Sequence, residues 1–256
     1  PNERHNPKKL ALSLLLLLLL SPMSGFKLHA DFAKRAVVHA GQLEWVPSPM
    51  KGVDRRMLDR IGSEVARATT VVQYAVGSNF REHVHGGGEE FLVLEGIFSD
   101  ASGNYGAGCY VRNPPTSKHA PWSEPGCVIL VKLHQMKLDD RTHVNIDTTK
   151  MAAVSPKGRE DGVSVVPLFN DGGEDVRVEH WQPGTDVSLD LPKGGEFFVV
   201  DGTVACGGDS LDKWSWVRLP PGDTLTAKVT SPTPATLWVK TGHLADVDLA
   251  RYESFA

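Results

Sequence analysis

Three histidines and a glutamate stand close together in the first half of this 256-residue chain: His83, His85, Glu89 and, later, His119. On a strand successive side chains alternate faces, so His83 and His85 project from one side while Val84 points the other way. Gly86-Gly87-Gly88 permits a sharp turn, because glycine tolerates positive φ. The strand beginning at Glu89 then returns beside its predecessor, and the Pro114-Pro115 turn delivers His119 from a later strand. Three neutral imidazoles and a carboxylate are a ligand set for a divalent first-row metal such as iron, zinc or manganese, with positions left open for water or substrate. A lone His-x-His is common on solvated strands, whereas three histidines and an acid, each beside a turn residue that places it, point to a metal site. Alternation lets only one of Glu89 and Glu90 face inward, and the distance to Gly96 selects Glu89; Glu90 is expected to be solvated or to stand behind the ligands. Arg81 shares the inward face if the strand is regular, which makes it a candidate anchor for an anionic substrate; a surface ion pair explains it equally well. Tyr74 and Phe91 are candidates to line the chamber or, as aromatics, to fill the core. His5, His29, His39, His134, His143, His180 and His243 have no comparable company.

The elements that must position these residues are short and extended. Few segments after residue 31 keep an apolar period of 3.6. Stretches such as Thr70–Val76, Glu90–Leu94, Cys127–Leu133, Val176–Trp181, Phe197–Val200 and Thr236–Val239 are β-branched or aromatic and bounded by Gly, Pro, Asn or Asp. The expected class is all-β, a sandwich or barrel, because each strand has a face to bury and only a closed or doubled sheet buries it.

The chain also repeats itself. At an offset of 106 residues Glu90-Phe91, Val93 and Gly96 fall on Glu196-Phe197, Val199 and Gly202, and Val111-Arg112 and Pro114-Pro115 fall on Val217-Arg218 and Pro220-Pro221. Two units of ordinary domain size result, with the polar stretch 147–162 between them. At the same offset His83, His85, Glu89 and His119 fall on Leu189, Leu191, Gly195 and Leu225. Leucine offers a cation no lone pairs, so the second unit should be metal-free and serve as packing for the first, or hold an apolar ligand.

Residues 77–96 resemble the first cupin motif, and EHVHGGGEEFLVLEG together with Tyr110–Pro121 (YVRNPPTSKHAP) resembles the cupin domain of the ChrR anti-sigma-factor family. The resemblance implies two tandem cupin domains, jelly-roll-like β-barrels, with His83, His85, Glu89 and His119 as ligands. The expected division is a signal-like segment at 1–30, a metal-binding cupin at 31–148 and a degenerate cupin at 149–256. The chain departs from the second cupin motif, which usually has Pro-x-Gly, by carrying Pro114-Pro115-Thr116, and Ser123 replaces a later Asn. ChrR-type regulators add an amino-terminal zinc-binding domain; nothing of that kind stands before residue 40, so anti-sigma activity is not expected.

Composition narrows the partners. With 27 Lys+Arg against 31 Asp+Glu the formal net charge is −4, which provides no positive field for nucleic acid. Arg4, Lys8 and Lys9 precede the apolar run Leu10–Leu20, the pattern of a secretory signal with a small-residue site at Leu28-His29-Ala30. That run is shorter than the roughly twenty residues that cross a bilayer, so an exported protein with no membrane association after processing is expected. Cys109, Cys127 and Cys206 are expected as buried thiols, with a Cys109–Cys127 bond open if strands bring them together. The expected activity is that of a metal-dependent, iron-type dioxygenase acting on a small dicarbonyl or phenolic chelator; the alternative is a non-catalytic zinc-binding sensor or small-ligand module. A sugar isomerase would need a base near the metal that is not identifiable. Monomer and homodimer are both compatible with the sequence.

Overall fold

A computed structural model of the chain describes residues 26–253 and 255. The apolar core of the signal-like segment lies outside them. The described residues include Lys27–Leu28, which pairs with Val53–Ile61.

The protein is all-β; among the described residues the helical elements are one short α-helix, Ala250–Glu253, and two 3-10 turns, Ala40–Gln42 and Thr148–Lys150. In the first unit the main sheet runs, by neighbours, Lys27–Leu28, Val53–Ile61, Arg67–Tyr74, Cys127–Leu133, Glu89–Asp100, Cys109–Asn113 and Val144–Asp147. A short hairpin, His83–Val84 with Lys118–His119, lies apart from it. In the second unit the main sheet runs Val163–Asn170, Asp175–Trp181, Ala235–Thr241, Gly195–Asp201, Ser215–Leu219 and Ala36–His39, and a smaller sheet holds Asp186–Leu191, Asp223–Val229, Val204–Cys206 and Asp209–Leu211. All of these pairings are antiparallel. The border strands are exchanged: Val144–Asp147, at the end of the segment 31–148, completes the first sheet, whereas Ala36–His39, near the start of that segment, completes the second.

The repeat read from sequence is also a repeat of register. His119 pairs with His83 in the first unit as Leu225 pairs with Leu189 in the second. Leu94 is an extra residue opposite Val128/Ile129, and Val200, its equivalent, is an extra residue between Val199 and Asp201.

Each main sheet is buried on both faces, which is why its central strands read as continuous apolar runs rather than alternating ones. Along Glu89–Asp100, Phe91 and Val93 point into the first barrel with Val72, Val111 and Ile129. Leu92 and Leu94 point the other way and join Leu58, Val71, Leu130, Val178, Phe198, Trp216 and Trp238 in a core shared by the two units. The second barrel is filled by its own apolar side chains, Leu191 and Leu225 among them.

The polar residues on this shared face form reciprocal ion pairs. Lys132 of the first unit meets Glu196 of the second at 2.6 Å, and Lys240 of the second meets Glu90 of the first. Glu174 also receives Lys240 at 2.9 Å and Arg112 at 3.2 Å, and Asp59 receives both Arg67 and Arg218 at 3.1 Å. Glu90 therefore stands on the face opposite Glu89 and is neither solvated nor behind the ligands: it is buried against the other unit, where Tyr110 Oη also donates to it at 2.6 Å. The equivalence of Glu90 and Glu196 in the repeat follows from this shared work.

Cys109, Cys127 and Cys206 are free and buried, so the open Cys109–Cys127 pairing does not form.

Candidate metal centre

The side chains of His83, His85, Glu89 and His119 come together, each offering a ligand atom, with those atoms all within 4.8 Å of one another. Ring centroids stand 5.2 Å (His83–His85), 4.8 Å (His83–His119) and 4.6 Å (His85–His119) apart. His83 and His119 are direct partners in the short hairpin, which sets one edge of the cluster. Glu89, first residue of its long strand, shares the inward face with Phe91 and Val93. The turn between His85 and Glu89 needs its last glycine: Gly88 has φ 79°, and a Cβ there would run into Met136, 2.7 Å from its Cγ.

The hydrogen bonds behind the imidazoles fix which nitrogen faces the centre. His83 Nδ1 lies 3.2 Å from the Arg81 carbonyl oxygen and His119 Nδ1 lies 3.1 Å from Asp100 Oδ2, both pure acceptors, so each Nδ1 carries the proton. His85 Nδ1 lies 2.9 Å from Ser117 Oγ, whose own proton is donated to the Pro114 carbonyl at 2.6 Å. Ser117 thus offers His85 a lone pair, and the His85 proton also sits on Nδ1. Every Nε2 is left with a lone pair, and Glu89 stands 3.4 Å from His85 Nε2 and 3.6 Å from His119 Nε2. Asn113 Nδ2 donates to Glu89 Oε2 at 3.2 Å and holds the carboxylate in place. His85 Nε2 is buried without any hydrogen-bond partner, which is costly unless something in the centre takes its lone pair. The donor set suits a divalent transition metal.

Burial tunes the same groups. Desolvation, aided by the neighbouring imidazoles, pushes His85 down to about 4 and also lowers His119, so these rings are neutral and able to ligate near neutral pH. Desolvation and the nearby Glu89 charge raise Tyr74, keeping its phenol protonated.

The three pocket candidates fall in different places. Tyr74 is half-buried beside the centre, edge-on to Phe80 at 5.1 Å and Phe98 at 5.7 Å. Phe91 is core, packed on Phe98 at 4.6 Å. Arg81 lies before a strand that covers only His83–Val84, so no regular alternation carries it inward. Its side chain is exposed, and it reaches the cluster through its carbonyl.

Sequence reasoning missed Phe98, Asp100, Asn113 and Ser117. Phe98 stacks obliquely on His119 at 5.7 Å. Asp100, besides orienting His119, accepts from Tyr105 Oη at 3.2 Å and from the Ser102 amide at 2.8 Å. Alternation continued from Glu89 would have turned Phe98 and Asp100 away; the extra residue Leu94 reverses the parity and brings both inward. The motif departure at Thr116 also has a structural meaning, since Thr116 takes φ 75°, the conformation that suits glycine.

The second unit has closed the equivalent space. Leu191, in the place of His85, lies so near Gly195, in the place of Glu89, that a Cβ on that glycine would sit 3.0 Å from Leu191 Cδ2. Among the described residues this is the only cluster of its kind.

Comparison with known proteins agrees with this architecture. Residues 33–137 match the ChrR cupin-like domain. No curated protein matches the sequence. Among solved structures, a candidate dioxygenase from Nostoc punctiforme superposes with TM-score 0.67 at 14% identity, over 89% of this chain and 90% of its own. A candidate glyoxylate-induced protein from Pseudomonas aeruginosa gives TM-score 0.64 at 13% identity, over 86% and 92%. The oxalate decarboxylase of Lactobacillus farciminis, in complex with formate, gives 0.57 at 10% identity, over 87% and 89%. At such identities the likeness speaks for the fold. With a match to the ChrR cupin-like domain over residues 33–137, a repeat of that unit in the second half and a His/His/Glu/His cluster that could hold a metal, the chain has the fold of two tandem cupin domains, the first of them ChrR-like.

Proposed function

We propose that His83, His85, Glu89 and His119 bind a divalent transition metal, iron foremost, and that the protein is a dioxygenase-like enzyme acting on a small dicarbonyl or phenolic compound able to chelate. The observation that carries this reading is the gathering of three imidazoles and one carboxylate whose ligand atoms lie within 4.8 Å of one another, with each Nδ1 proton spent on an outer acceptor. When bound, such a metal supplies a Lewis acid and, as iron, access to dioxygen chemistry.

The chain's own residues do the rest. His83 is exposed while the other three side chains are not, so substrate enters past His83. Phe98 shields His119 from water on the inner side, and Asn113 keeps Glu89 from swinging away. The protonated Tyr74 phenol, at the edge of the centre, is suited to donate a hydrogen bond to a substrate oxygen. The candidate dioxygenase among the structural neighbours supports the class of reaction.

A second reading, a zinc-binding module that recognises a small ligand without turnover, is favoured by the match of residues 33–137 to the ChrR cupin-like domain. Elemental analysis of protein purified without added metal separates the two. Iron or manganese, with oxygen uptake on addition of chelating substrates, supports the enzyme; stoichiometric zinc without turnover supports the module. The His83→Ala variant should lose metal, and equal content in variant and wild type would overturn the site itself.

A further inference from the structure

The turn that sets His85 against Glu89 is held from outside. Cys127–Leu133 runs on into residues 134–136, which lie directly on that turn. The His134 amide donates to the Gly88 carbonyl at 2.9 Å, and the Met136 amide donates to the Gly87 carbonyl at 3.1 Å. The approach leaves no room for a side chain on either glycine. A Cβ on Gly87 would sit 2.7 Å from His134 Cα and 2.9 Å from Arg251 Nη2, and one on Gly88 would sit 2.9 Å from Met136 Cβ. Three successive glycines have no side chains with which to fix their own shape, so the turn takes its shape from the backbone laid against it.

That backbone is itself pinned from the second unit. The His134 carbonyl accepts from Tyr252 Oη and the Met136 carbonyl accepts from Arg251 Nη1, both at 2.9 Å. Both donors belong to the short helix Ala250–Glu253. His134 takes φ 58°, a left-handed conformation that a residue with a Cβ keeps only where surrounding contacts hold it. The helix has a seat of its own: Tyr252 is buried in an apolar cluster with Phe32, Ile61 and Leu244, and Phe255 meets the His134 ring edge-on at 5.0 Å. Two chains of hydrogen bonds thus run from the helix to the ligand turn, one through His134 and one through Met136, and neither passes through a ligand residue. We propose that Tyr252 and Arg251 are positioning residues of the metal centre, by which the unit that has lost its own ligands holds the His85–Glu89 turn of the unit that keeps them. The inference rests on reading His83, His85, Glu89 and His119 as metal ligands.

The test compares the full chain with Tyr252→Phe, Arg251→Met and the double variant. Phenylalanine keeps the ring in its apolar seat and removes only Oη, and methionine keeps much of the arginine stem. Thr148→Val removes a comparable side-chain bond, to the Gly108 carbonyl at 2.7 Å, that takes no part in these chains, and so controls for general loss of stability. Zinc affinity is read by competition with a chromogenic chelator. The double variant should bind zinc about three-fold more weakly or worse, with Thr148→Val at the wild-type value. In metal-free protein, amide exchange at His134 and Met136 should quicken about five-fold in the double variant, while the amides of Cys127–Leu133 change no more than in Thr148→Val. Unchanged zinc affinity in the double variant, an equal loss in Thr148→Val, or unchanged exchange at His134 and Met136 would each overturn the proposal. His83→Ala keeps the two failures apart: if it binds zinc as the wild type does, the ligand assignment is what fails, and the exchange rates still decide whether the helix holds the turn.

Discussion

Replacing Lys132 by Met tests the reciprocal ion pairs between the two units. Glu196 is fully buried and is held by Lys132 Nζ at 2.6 Å, Trp216 Nε1 at 3.1 Å and His243 Nε2 at 2.8 Å. Methionine keeps most of the side-chain volume, so little cavity forms and the change isolates the charge. Losing one partner of a buried pair costs about 3–5 kcal/mol, because the other charge stays desolvated. Against a whole-protein stability of about 5–15 kcal/mol this is severe. With a urea m-value of about 2–3 kcal/mol/M, the midpoint should fall by roughly 1–2 M. The pH dependence carries a sign. In the wild type the Lys132 charge and its neighbours hold Glu196 well below the usual carboxylate range, so its contribution is present above the unfolded value and lost as pH falls through the folded one. The variant has no such contribution to lose, and the gap between the two proteins should narrow in acid. Urea titrations of wild type, Lys132→Met, Glu196→Gln and the double variant at neutral and acidic pH measure both the cost and the coupling. A cost below about 1 kcal/mol, the range of exposed pairs, or a gap that widens in acid would refute the reasoning.

Four further outcomes are expected. Asp100→Asn should weaken metal binding about 10–100-fold, as loss of a carboxylate behind a ligating imidazole does; competition with a chromogenic chelator measures it, and unchanged affinity counts against Asp100 as the group orienting His119. Metal-free protein should lose stability as pH falls from about 6.5 toward about 4, on the order of 3 kcal/mol from His85, because its folded value is depressed and the unfolded chain takes up the proton first; an equal slope in His85→Ala would refute the assignment. Gly88→Ala should cost at least about 1–3 kcal/mol from its left-handed backbone, with added loss from the clash with Met136, and should reduce metal content because the turn sets His85 against Glu89. Thr116→Gly should be stabilising or neutral, about 0–1 kcal/mol, by relieving the left-handed conformation of a β-branched residue; a clear loss in thermal melts would show that the threonine side chain is needed there.

The cluster was legible in sequence because its determinants are local: two histidines one residue apart, a glycine turn, a carboxylate at the start of a strand and a proline turn before the third histidine. The duplication was legible because Glu90, Arg112 and their equivalents recur at one offset, although their purpose was not. A buried cross-unit ion pair joins residues such as Lys132 and Glu196, 64 positions apart, and alternation alone cannot say whether the opposite face of a strand meets water or another sheet. The residues behind the ligands were hidden for a different reason. A single extra residue at Leu94 changes which side chains face inward, and nothing in the local composition announces it. Arg81 failed for the converse reason, since alternation was extended across a strand that is only two residues long.

The border strand Ala36–His39 has a consequence for synthesis. Its neighbour in the finished sheet is Ser215–Leu219, and His39 and Ser215, which touch at 3.0 Å, are separated by 176 positions. At roughly 5–20 residues per second on the ribosome, that strip of backbone waits ~10–35 seconds for its neighbour to be made. Throughout that delay it emerges early yet docks late, exposing Ala36, Val37 and Val38 to any chaperone, or to another nascent copy, that reaches them first.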